Sequence, residues 1–490
     1  MASAADVDAA RLALEAALGP AGVLTDPLAL GLYARDASMV EGGCALVAFP
    51  RSAGDVIACM KLASRHGLAV VPRGSGTGLA GGATPIGDAL VVSTATMTRI
   101  LEVRPEDRLA WVEPGVLNLD LANALAPYGF TYVPDPSSQQ TCSIGGNVNT
   151  NAGGPHCLAY GVTSNHVLAV DVVLPDGSLV RVGSEGPEWA GYDLRGVVIG
   201  SEGTLGVVVA ACVRLTPLPP AVRTMLLDFT SVQDCAATVS AIIASGVVPA
   251  AVEMMDHGIV VAAEDFAHAG YPTDAAAILI VEVDGVPAAV EAQARAVEDA
   301  ARANHVRTIR VAQDDAERGL LWKGRKSAFG AVAKIAPHYH LHDCVVPRTK
   351  LVEVLTGVYA IAERHELIVT NVFHAGDGNL HPLLSFDRRV PGTLERVLAA
   401  SEEIVRLCVE AGGALSGEHG IGLEKRDFMP LVFTDEDLQA QACVRAVFDP
   451  DGRMNPHKVL PAGARCGDFA MARGTDAAEA AASLPEGAWI

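Results

Sequence analysis

Short runs of hydrophobic residues alternate with glycine-rich breaks through the first half of the chain. This pattern predicts strands in LAVVPRG, DALVVST, RLAWVEPG, HVLAVDVVLPDGSLVRV and RGVVIGSEGTLGVVVAACVRL, all between residues 45 and 216. An amphipathic helix, DVIACMKLASRHG at 55–67, lies among them and begins an α/β unit. We therefore expect a strand-rich domain at 41–220, preceded by a helical segment at 1–40.

The second half of the chain has longer periodic segments. After TPLPP at 216–220, which is typical of a linker, strands such as RTMLLDFTS and AAAILIVEVDG alternate with amphipathic helices such as PAAVEAQARAVEDAARANH. That order predicts a helix-covered sheet, forming a second domain at 221–445. An irregular but ordered segment is expected at 446–465 and a C-terminal tail at 466–490.

Charge and composition exclude several classes of partner. The 490 residues include 36 Lys+Arg and 57 Asp+Glu, and the resulting formal charge of −21 repels nucleic acid. The longest apolar stretches, such as AAAILIVEV at 275–283, fall short of the roughly 18 residues that suggest a membrane span. The ten cysteines form no CxxC pair, so reduced thiols in the cytosol are expected. A small anionic substrate would need a local cationic pocket.

The stretch PRGSGTGLAGGA at 72–83 matches the GxGxxG spacing of dinucleotide-binding proteins. That motif requires a helix starting inside the loop, with its N-terminus towards the pyrophosphate. Gly82, Pro85 and Gly87 follow instead, and the next strand is predicted near Asp88. We therefore reject that interpretation and expect either a nest of backbone N–H groups that binds an anion or an ordinary mobile loop.

Two further glycine-rich segments favour the ligand-binding alternative. DPSSQQTCSIGGNVNTNAGG at 135–154 is predicted as a long turn-forming segment, too elaborate for an ordinary connection. GSEGTLGVV at 200–208 allows a flat ligand to approach the backbone just before a strand. Three such clusters in one domain indicate an extended ligand.

The segment FHAGDGNLHP at 373–382 places two histidines around a favoured hairpin centre, Asp377-Gly378. A two-residue turn there would pair His374 with His381, with Cβ atoms roughly 4.5–5.5 Å apart on one face. A metal pair, an acid–base pair and a hydrogen-bonded polar hairpin all fit this arrangement. SGEHGIG at 416–422 offers Glu418 as a third ligand, and two histidines with a carboxylate are typical of a catalytic zinc site.

In order along the chain, the three glycine-rich motifs resemble the FAD-binding domain of the vanillyl-alcohol oxidase and p-cresol methylhydroxylase superfamily. HAGDGNLHP, SGEHGIGLEK and FDPDGRMNPHK are similar to the FAD-linked D-2-hydroxy acid dehydrogenase group and, within it, to the D subunits of bacterial glycolate oxidases. The resemblance implies an α+β fold of two domains, an FAD-binding domain and an α/β substrate (cap) domain. It also implies oxidation of a short 2-hydroxy acid, glycolate or D-lactate, to the 2-oxo acid.

The same resemblance implies a set of FAD-binding residues. The pyrophosphate would be held by Arg73, Gly74, Ser75, Gly76, Thr77 and Gly78. The flavin would be lined by Ser143, Gly146, Asn147, Thr150 and Gly153. Gly203 and Val208 would contact the adenine end through their backbone, and Asn455 would reach the isoalloxazine region. Some relatives attach flavin through His or Cys near the first loop; residues 72–83 contain neither, so non-covalent FAD is expected.

For the reacting groups, the resemblance implies that His374, His381 and Glu418 bind a divalent metal and that His419 is the general base. Zinc is expected, and Mn²⁺ or Fe²⁺ also accept such N and O ligands. Arg325 would clamp the substrate carboxylate, although an isolated arginine on an apolar helix is more simply a surface residue with a packed stem. Substrate hydride would then pass to flavin N5.

Other functions share part of these motifs. D-lactate dehydrogenase and D-2-hydroxyglutarate dehydrogenase differ in the substrate side chain, and HLHD at 340–343 has no lysine for a second carboxylate. A metal-dependent hydrolase or a non-catalytic electron-transfer subunit would each leave some motifs unexplained. The chain has no iron–sulfur ligand pattern, so the resemblance implies a second flavin-domain subunit and an iron–sulfur subunit as partners. It implies a cytoplasmic protein that would reach the inner membrane through those partners.

Overall fold

The structure, a computed structural model, describes residues 3–186 and 191–462. The predicted tail at 466–490 and the last three residues of the segment at 446–465 lie outside this part. The helices of the first half are α1 (Ala4–Leu18), α2 (Pro27–Leu30), α3 (Ala53–Arg65), α4 (Asn118–Leu125), α5 (Ile144–Thr150), α6 (Cys157–Tyr160), α7 (Thr163–His166) and α8 (Leu194–Val198). Its strands are β1 (Val23–Leu24), β2 (Cys44–Ala48), β3 (Val70–Arg73), β4 (Ala89–Ser93), β5 (Ile100–Arg104), β6 (Leu109–Val112), β7 (Phe130–Thr131), β8 (Val167–Val173), β9 (Leu179–Gly183), β10 (Val207–Arg214) and β11 (Thr216–Pro217).

These strands form two main sheets. The first has the order β1-β2-β4-β3, in which β4 runs parallel to β2 and β3, and α3 packs on it through Val56, Cys59 and Met60. The second is antiparallel, with the order β5-β6-β10-β8-β9. The glycine-rich loop at 74–83 follows the β3 end of the first sheet, and no α-helix separates it from β4, as predicted.

The second half of the chain is built around one large sheet. Its helices are α9 (Val232–Ala244), α10 (His257–Ala267), α11 (Pro287–Ala303), α12 (Asp315–Ala331), α13 (Leu351–Arg364), α14 (Thr393–Glu410) and α15 (Asp435–Phe448). Its strands are β12 (Ala221–Phe229), β13 (Ala251–Asp256), β14 (Ala277–Gly285), β15 (Thr308–Val311), β16 (His338–Leu341), β17 (Cys344–Val345), β18 (Ile368–His374), β19 (Asn379–Leu380) and β20 (Pro382–Phe386). The order is β15-β12-β14-β13-β18-β19-β17, with β20 joining β18 to β16.

Helices cover both faces of this sheet, as the sequence pattern predicts. Successive residues of β12 enter different cores: Met225 and Leu227 pack with α9, α11, α13 and α14, whereas Leu226 packs with α10 and α12. Because both faces are buried, the strands are nearly continuous hydrophobic runs rather than alternating ones. No helix within 3–186 and 191–462 is long and apolar enough to cross a bilayer.

Two local predictions were wrong. The segment at 135–154 is not all turn, because residues 144–150 form α5; Gly145 is needed there for close packing, since a Cβ would lie 2.5 Å from Pro114 Cβ. The expected linker at 216–220 contains β11, which pairs with β7. The segment after α15 returns to the first sheet, where the Asn455 N–H donates to the Val70 carbonyl at 2.7 Å.

Candidate active site

A cavity of about 450 Å³ is lined by residues from both halves of the chain. Twelve of the fourteen predicted FAD-binding residues lie on its wall: Arg73, Gly74, Ser75, Gly76, Thr77, Gly78, Ser143, Gly146, Asn147, Thr150, Gly203 and Val208. The second half of the chain contributes Lys326, Phe329, Tyr339, Leu341, Glu418 and His419. The glycine-rich loops and the predicted base therefore share one cavity.

The glycine-rich loop presents unused donors to this cavity. The backbone N–H groups of Ser75, Gly76, Thr77 and Gly78 make no hydrogen bond to any residue that the structure describes. Gly76 has φ +73, and a Cβ there would collide with the guanidinium of Arg73. A run of free N–H groups in this conformation forms a concave anion site, which suits a pyrophosphate.

The side chain of Arg73 stabilises the conformation of this loop. Its Nη1 donates to the Arg35 carbonyl at 2.9 Å, and its guanidinium lies 5.4 Å from the ring centre of Tyr33. Burial lowers the pKa of Arg73 from its ordinary value, yet the side chain stays cationic at neutral pH. Its positive charge favours anion binding, and its Nη1 donates to the carbonyls of Arg35 and Ala83, which fixes the loop.

Helix α5 and its N-cap residue, Ser143, supply polar side-chain atoms that also lack hydrogen-bond partners. Ser143 Oγ and Asn149 Oδ1 are buried and accept or donate no hydrogen bond among the described residues. Asn147 Oδ1 accepts a hydrogen bond from Asn118 Nδ2 at 3.0 Å, which fixes its amide. Buried polar atoms without partners are costly, so these atoms fit a ligand with its own donors and acceptors, such as a flavin ring.

The other two predicted FAD-binding residues lie off the wall. Asn455 is fully buried, and its Nδ2 donates to the carbonyls of Gly82 and Glu202, both at 2.7 Å, so it ties two cavity loops together. Gly153 packs against the second half of the chain: a Cβ there would lie 2.9 Å from Glu418 Oε2 and 3.1 Å from Cys157 Sγ.

The histidine hairpin has a different register from the predicted one. His374 pairs with Asn379, not with His381, so residues 375–378 form a four-residue loop. A shift of two residues keeps each side chain on the same face, so His381 lies diagonally opposite His374. The two ring centres are 5.2 Å apart, and the predicted convergence of the imidazoles is confirmed.

Glu418 completes this cluster. Its Oε1 lies 3.0 Å from His374 Nε2 and 3.1 Å from His381 Nε2. The other ring nitrogens donate to fixed acceptors: His374 Nδ1 to Glu253 Oε1 at 2.8 Å, and His381 Nδ1 to the His342 carbonyl at 3.1 Å. Both Nε2 atoms therefore face Glu418 Oε1. Without metal, a proton on Nε2 makes this contact a hydrogen bond; without that proton, the Nε2 lone pairs would face a metal, as in sites where a carboxylate or carbonyl orients each histidine.

The electrostatics also favour a cation at this cluster. Burial alone would lower the pKa of His374, but Glu253 and Glu418 on its two sides raise it well above its ordinary value. Burial would raise the pKa of Glu418, but His374 and His381 lower it well below the ordinary value. Two nitrogens and a carboxylate oxygen form a donor set for Zn²⁺, and in the absence of metal a proton on His374 supplies positive charge.

His419 is the predicted base, and it lies on the cavity wall beside Glu418. Burial lowers the pKa of His419 to about 4, although Asp343 partly opposes this shift. The ring is therefore neutral at physiological pH and can accept a proton. It stacks on His381 with an interplanar angle of 4° and a centre distance of 4.9 Å, which fixes its orientation.

Asp343 holds the loop that carries Glu418 and His419. Its carboxylate is fully buried and accepts the backbone N–H groups of Gly417, Glu418 and His419 at 3.0–3.3 Å. It also pairs with Lys425 Nζ at 3.1 Å. Asp343 is thus the anchor of this loop, and its Oδ1 also lies 3.9 Å from His381 Nδ1.

Glu202 joins this loop to the first half of the chain. Its two carboxylate oxygens accept the N–H groups of Ile421 and Gly422 at 2.7 and 2.8 Å. Burial raises the pKa of Glu202 to about 7, even though both N–H groups favour its ionised form. The sequence reasoning missed this residue, although it lies inside the motif GSEGTLGVV that was singled out.

Arg325 is not brought to the cavity wall. Its side chain is fully buried on α12, and its Nη2 lies 2.5 Å from Glu253 Oε2. Glu253 in turn accepts from His374, so one carboxylate connects Arg325 to the cluster of His374, His381 and Glu418. The neighbouring Lys326 does line the cavity; it belongs to no recognisable sequence motif, so the sequence alone did not indicate it.

One cavity contains both the anion-binding loop at 74–78 and the neutral imidazole of His419. Such a cavity suits a flavin-dependent oxidoreductase, which needs a bound cofactor and a proton acceptor next to each other. Residues 44–183 match the family described as FAD binding domain, and residues 218–459 match FAD linked oxidases, C-terminal domain. The chain belongs to the FAD-linked oxidases and binds FAD.

Individual relatives agree with this family. The chain is 45% identical over 424 residues to glycolate oxidase subunit GlcD of Escherichia coli K12, covering 86% of this chain and 85% of that protein. It is 32% identical to a D-lactate dehydrogenase of Anaerostipes hadrus, covering 83% of this chain and 88% of that protein. The fold is that of p-cresol methylhydroxylase, with a TM-score of 0.80 at 15% identity over 94% of this chain and 98% of that one. The predicted two-domain fold and the predicted family are confirmed.

Proposed function

We propose that the chain oxidises a short 2-hydroxy acid, glycolate or D-lactate, to the corresponding 2-oxo acid. The observation that carries this proposal is the neutral imidazole of His419 on the wall of the FAD cavity. FAD, when bound, supplies the acceptor for the substrate hydride. His419 takes the hydroxyl proton, so that loss of a proton and of the Cα hydride together leaves a carbonyl group.

Glycolate is the preferred candidate and D-lactate the second. The relatives named for glycolate oxidation reach 45% identity, against 32% for one named for D-lactate. A dicarboxylate such as 2-hydroxyglutarate is less favoured, because His340 and His342 are the basic side chains of the 340–343 segment and burial lowers the pKa of both. Neither can supply a second permanent positive charge.

We also propose a divalent metal held by His374, His381 and Glu418; zinc suits this donor set, and Mn²⁺ and Fe²⁺ are the alternatives. Its support is the convergence of three donor atoms within 4.8 Å, with both Nδ1 groups already engaged. A metal at this place would act as a Lewis acid towards the substrate hydroxyl. The chain's own part is to orient the donors and to hold His419 next to them.

The contact between Gly153 and Glu418 gives a direct test of the metal ligands. Gly153→Ala should lower the metal content of the purified protein, because the added Cβ would lie 2.9 Å from Glu418 Oε2 and push the carboxylate away. Elemental analysis beside flavin absorbance measures metal and FAD in the same sample. Glu418→Gln is the reference for loss of the ligand itself. Gly319→Ala is the control, because Gly319 is an exposed helical residue of α12 whose added Cβ would meet no atom. Full metal content in both site variants would reject the ligand assignment.

FAD is proposed to bind non-covalently. Residues 72–83 contain no histidine or cysteine, and Cys142, which lines the cavity, has its thiol pKa raised by burial. A protonated thiol is a poor nucleophile towards flavin. Denaturation of the holoenzyme should therefore release all of its flavin.

Electrons from the reduced flavin are proposed to leave through partner subunits. The E. coli relative is named as a subunit of glycolate oxidase, and this chain has no closely spaced cysteines for an iron–sulfur cluster. A second flavin-domain subunit and an iron–sulfur subunit would complete the path, with the assembly in the cytoplasm at the inner membrane surface.

The function is tested by anaerobic reduction of the purified holoenzyme. Glycolate, D-lactate, L-lactate and D-2-hydroxyglutarate are added separately, and bleaching of the flavin absorbance is followed. We expect glycolate or D-lactate to bleach the flavin and L-lactate and D-2-hydroxyglutarate to do so poorly. A protein that binds FAD but is bleached by no 2-hydroxy acid would overturn the proposal.

A further inference from the structure

Glu202 is a buried carboxylate on the wall of the FAD cavity, and it has no cation beside it. The residue is 8% exposed and lines the cavity. Its two oxygens accept the backbone N–H groups of Ile421 and Gly422, and it makes no ion pair within the part of the chain that the structure describes. Because no adjacent cation fixes its charge, its protonation responds to any other charge in the cavity.

The backbone of Glu202 adopts a conformation that is unfavourable for its residue type. Its φ of +53 lies in the left-handed region, where glycine is the usual residue. Contacts on both sides enforce this conformation: the Glu202 N–H donates to the Asn149 carbonyl, and its carbonyl accepts Asn455 Nδ2, both at 2.7 Å. Strained residues of this kind concentrate at functional sites. Glycine would relieve the strain but would remove the carboxylate from the cavity.

Two lysines face Glu202, and both bind other groups. Lys425 belongs to the same loop as the two N–H donors, and its Nζ donates to the carbonyl and the carboxylate of Asp343 at 3.0 and 3.1 Å. Lys458 is fully buried in the segment after α15, and its Nζ donates to the Thr84 carbonyl at 2.7 Å. The two lysines therefore act on Glu202 only through their fields.

These opposing effects leave Glu202 close to half-ionised at neutral pH. Burial raises its pKa to about 7, although the two N–H groups and the two lysines favour the ionised form. The other elements that contact it, helix α5 and the glycine-rich loop at 74–83, contain no titratable side chain. A small change in the electric field of the cavity is therefore enough to change its protonation.

Reduction of FAD produces such a change. A hydride consists of two electrons and one proton, so its transfer to FAD adds one negative charge to the cavity. A nearby negative charge raises the pKa of a carboxyl group, because like charges disfavour the ionised form. Glu202 would then bind a proton at neutral pH. His419 has a pKa of about 4 and cannot keep the hydroxyl proton of the substrate at that pH.

We propose that Glu202 binds a proton when FAD is reduced and releases it when FAD is reoxidised. This inference extends the proposed oxidation of a 2-hydroxy acid. In the balanced half-reaction the substrate loses a hydride to FAD and its hydroxyl proton to His419, and the Glu202 carboxylate gains one proton. The products are the 2-oxo acid, reduced FAD, a neutral carboxyl group at Glu202 and a neutral His419.

The midpoint potential of the bound flavin measures this coupling without any substrate. The wild-type holoenzyme and Glu202→Gln are titrated anaerobically with dithionite against a reference dye, at pH values from well below to well above 7. FAD content is measured on the same samples. Glu424→Gln is the matched control: burial raises the pKa of Glu424 to about 7 as well, and it belongs to the same loop, but it lies off the cavity wall.

At low pH residue 202 is neutral in both proteins, so their potentials should agree. Above the pKa of Glu202, the wild-type potential should fall more steeply with pH than that of Glu202→Gln, by about 30 mV per pH unit. This is the value for one additional proton per two electrons, a tenfold change in the equilibrium constant per unit. The flavin's own proton appears in both curves. Glu424→Gln should follow the wild type, and parallel curves for wild type and Glu202→Gln would overturn the proposal.

A second measurement on the wild type keeps the test valid if Glu202→Gln binds FAD poorly. Above neutral pH, the reduced-minus-oxidised infrared difference spectrum should gain the carbonyl-stretching band of a protonated carboxyl group, and this band should shift in D₂O. Glu424→Gln should retain the band. Its absence from the wild type, or its persistence in flavin-loaded Glu202→Gln, would show that Glu202 does not bind the proton.

Because dithionite replaces the substrate, failure of this inference is distinguishable from failure of the proposed function. If glycolate or D-lactate bleaches the flavin but the two potential curves are parallel, the oxidation stands and the role of Glu202 is wrong. If the curves diverge but no 2-hydroxy acid reduces the flavin, the proton coupling stands and the proposed substrate class is wrong.

Discussion

His419→Ala should leave a yellow, folded protein whose flavin is reduced by substrate roughly 10²- to 10⁴-fold more slowly than in the wild type. The imidazole is the proposed proton acceptor; it lies on the cavity wall, and its pKa of about 4 keeps it neutral at physiological pH. His419 Nε2 lies 4.0 Å from Glu418 Oε1, farther than the Nε2 atoms of His374 and His381, so any metal at the proposed site should be retained. The reduction rate of the wild type should fall only as the pH drops towards about 4, where the ring becomes protonated.

The measurement is anaerobic stopped-flow reduction, with FAD and metal contents determined on the same samples. His340→Ala is the matched control: burial lowers the pKa of His340 to about 4 as well, but this ring hydrogen-bonds to Ser401 and lies off the cavity wall. It should reduce the rate little. A His419→Ala enzyme that keeps its FAD and reacts within a few-fold of wild type would show that another group takes the proton.

Asp343→Ala should lower the free energy of unfolding by about 3–5 kcal/mol, the cost of removing one member of a buried ion pair. The substitution leaves Lys425 without its carboxylate partner and frees the N–H groups of Gly417, Glu418 and His419. Because that loop carries the proposed metal ligand Glu418 and the proposed base His419, metal content and reduction rate should fall together.

Denaturant unfolding and elemental analysis check this expectation. Asp343→Asn keeps the size of the side chain but loses its charge, so its stability should lie between that of Asp343→Ala and that of the wild type. Asp387→Ala is the control, since this half-buried carboxylate pairs with the exposed Arg389 and should leave metal and rate unchanged. Wild-type metal content in a destabilised Asp343→Ala protein would show that Asp343 supports the fold but does not order the loop.

The sequence predicted which side chains meet at the site better than it predicted the backbone that brings them together. His374 and His381 converge although the hairpin register differs by two residues, because strand side chains repeat with a period of two and the error kept both on one face. The order of strands and helices in the second half followed from periodicity alone.

Other features depend on contacts between distant segments, which local patterns do not encode. The glycine-rich composition of 135–154 predicts turns, but Gly145 is a helical residue in close contact with Pro114. Arg325 and Lys326 are neighbours of like charge, and the turn of α12 decides which faces Glu253 and which faces the cavity. The anchoring role of Asp343 likewise requires the loop at 416–419 to return across the sheet.

The loop at 416–424 belongs to the second half of the chain by sequence but is bonded to the first half. Glu202 accepts Ile421 and Gly422, and the Ala80 carbonyl accepts Leu423 at 2.8 Å. A chimaera that joins the flavin half of one homologue to the substrate half of another would therefore take the loop at 416–424 from one protein and its hydrogen-bond partners at 80 and 202 from the other. Exchange of substrate preference between relatives should succeed only when the residues at 80 and 202 are transferred together with the second half of the chain.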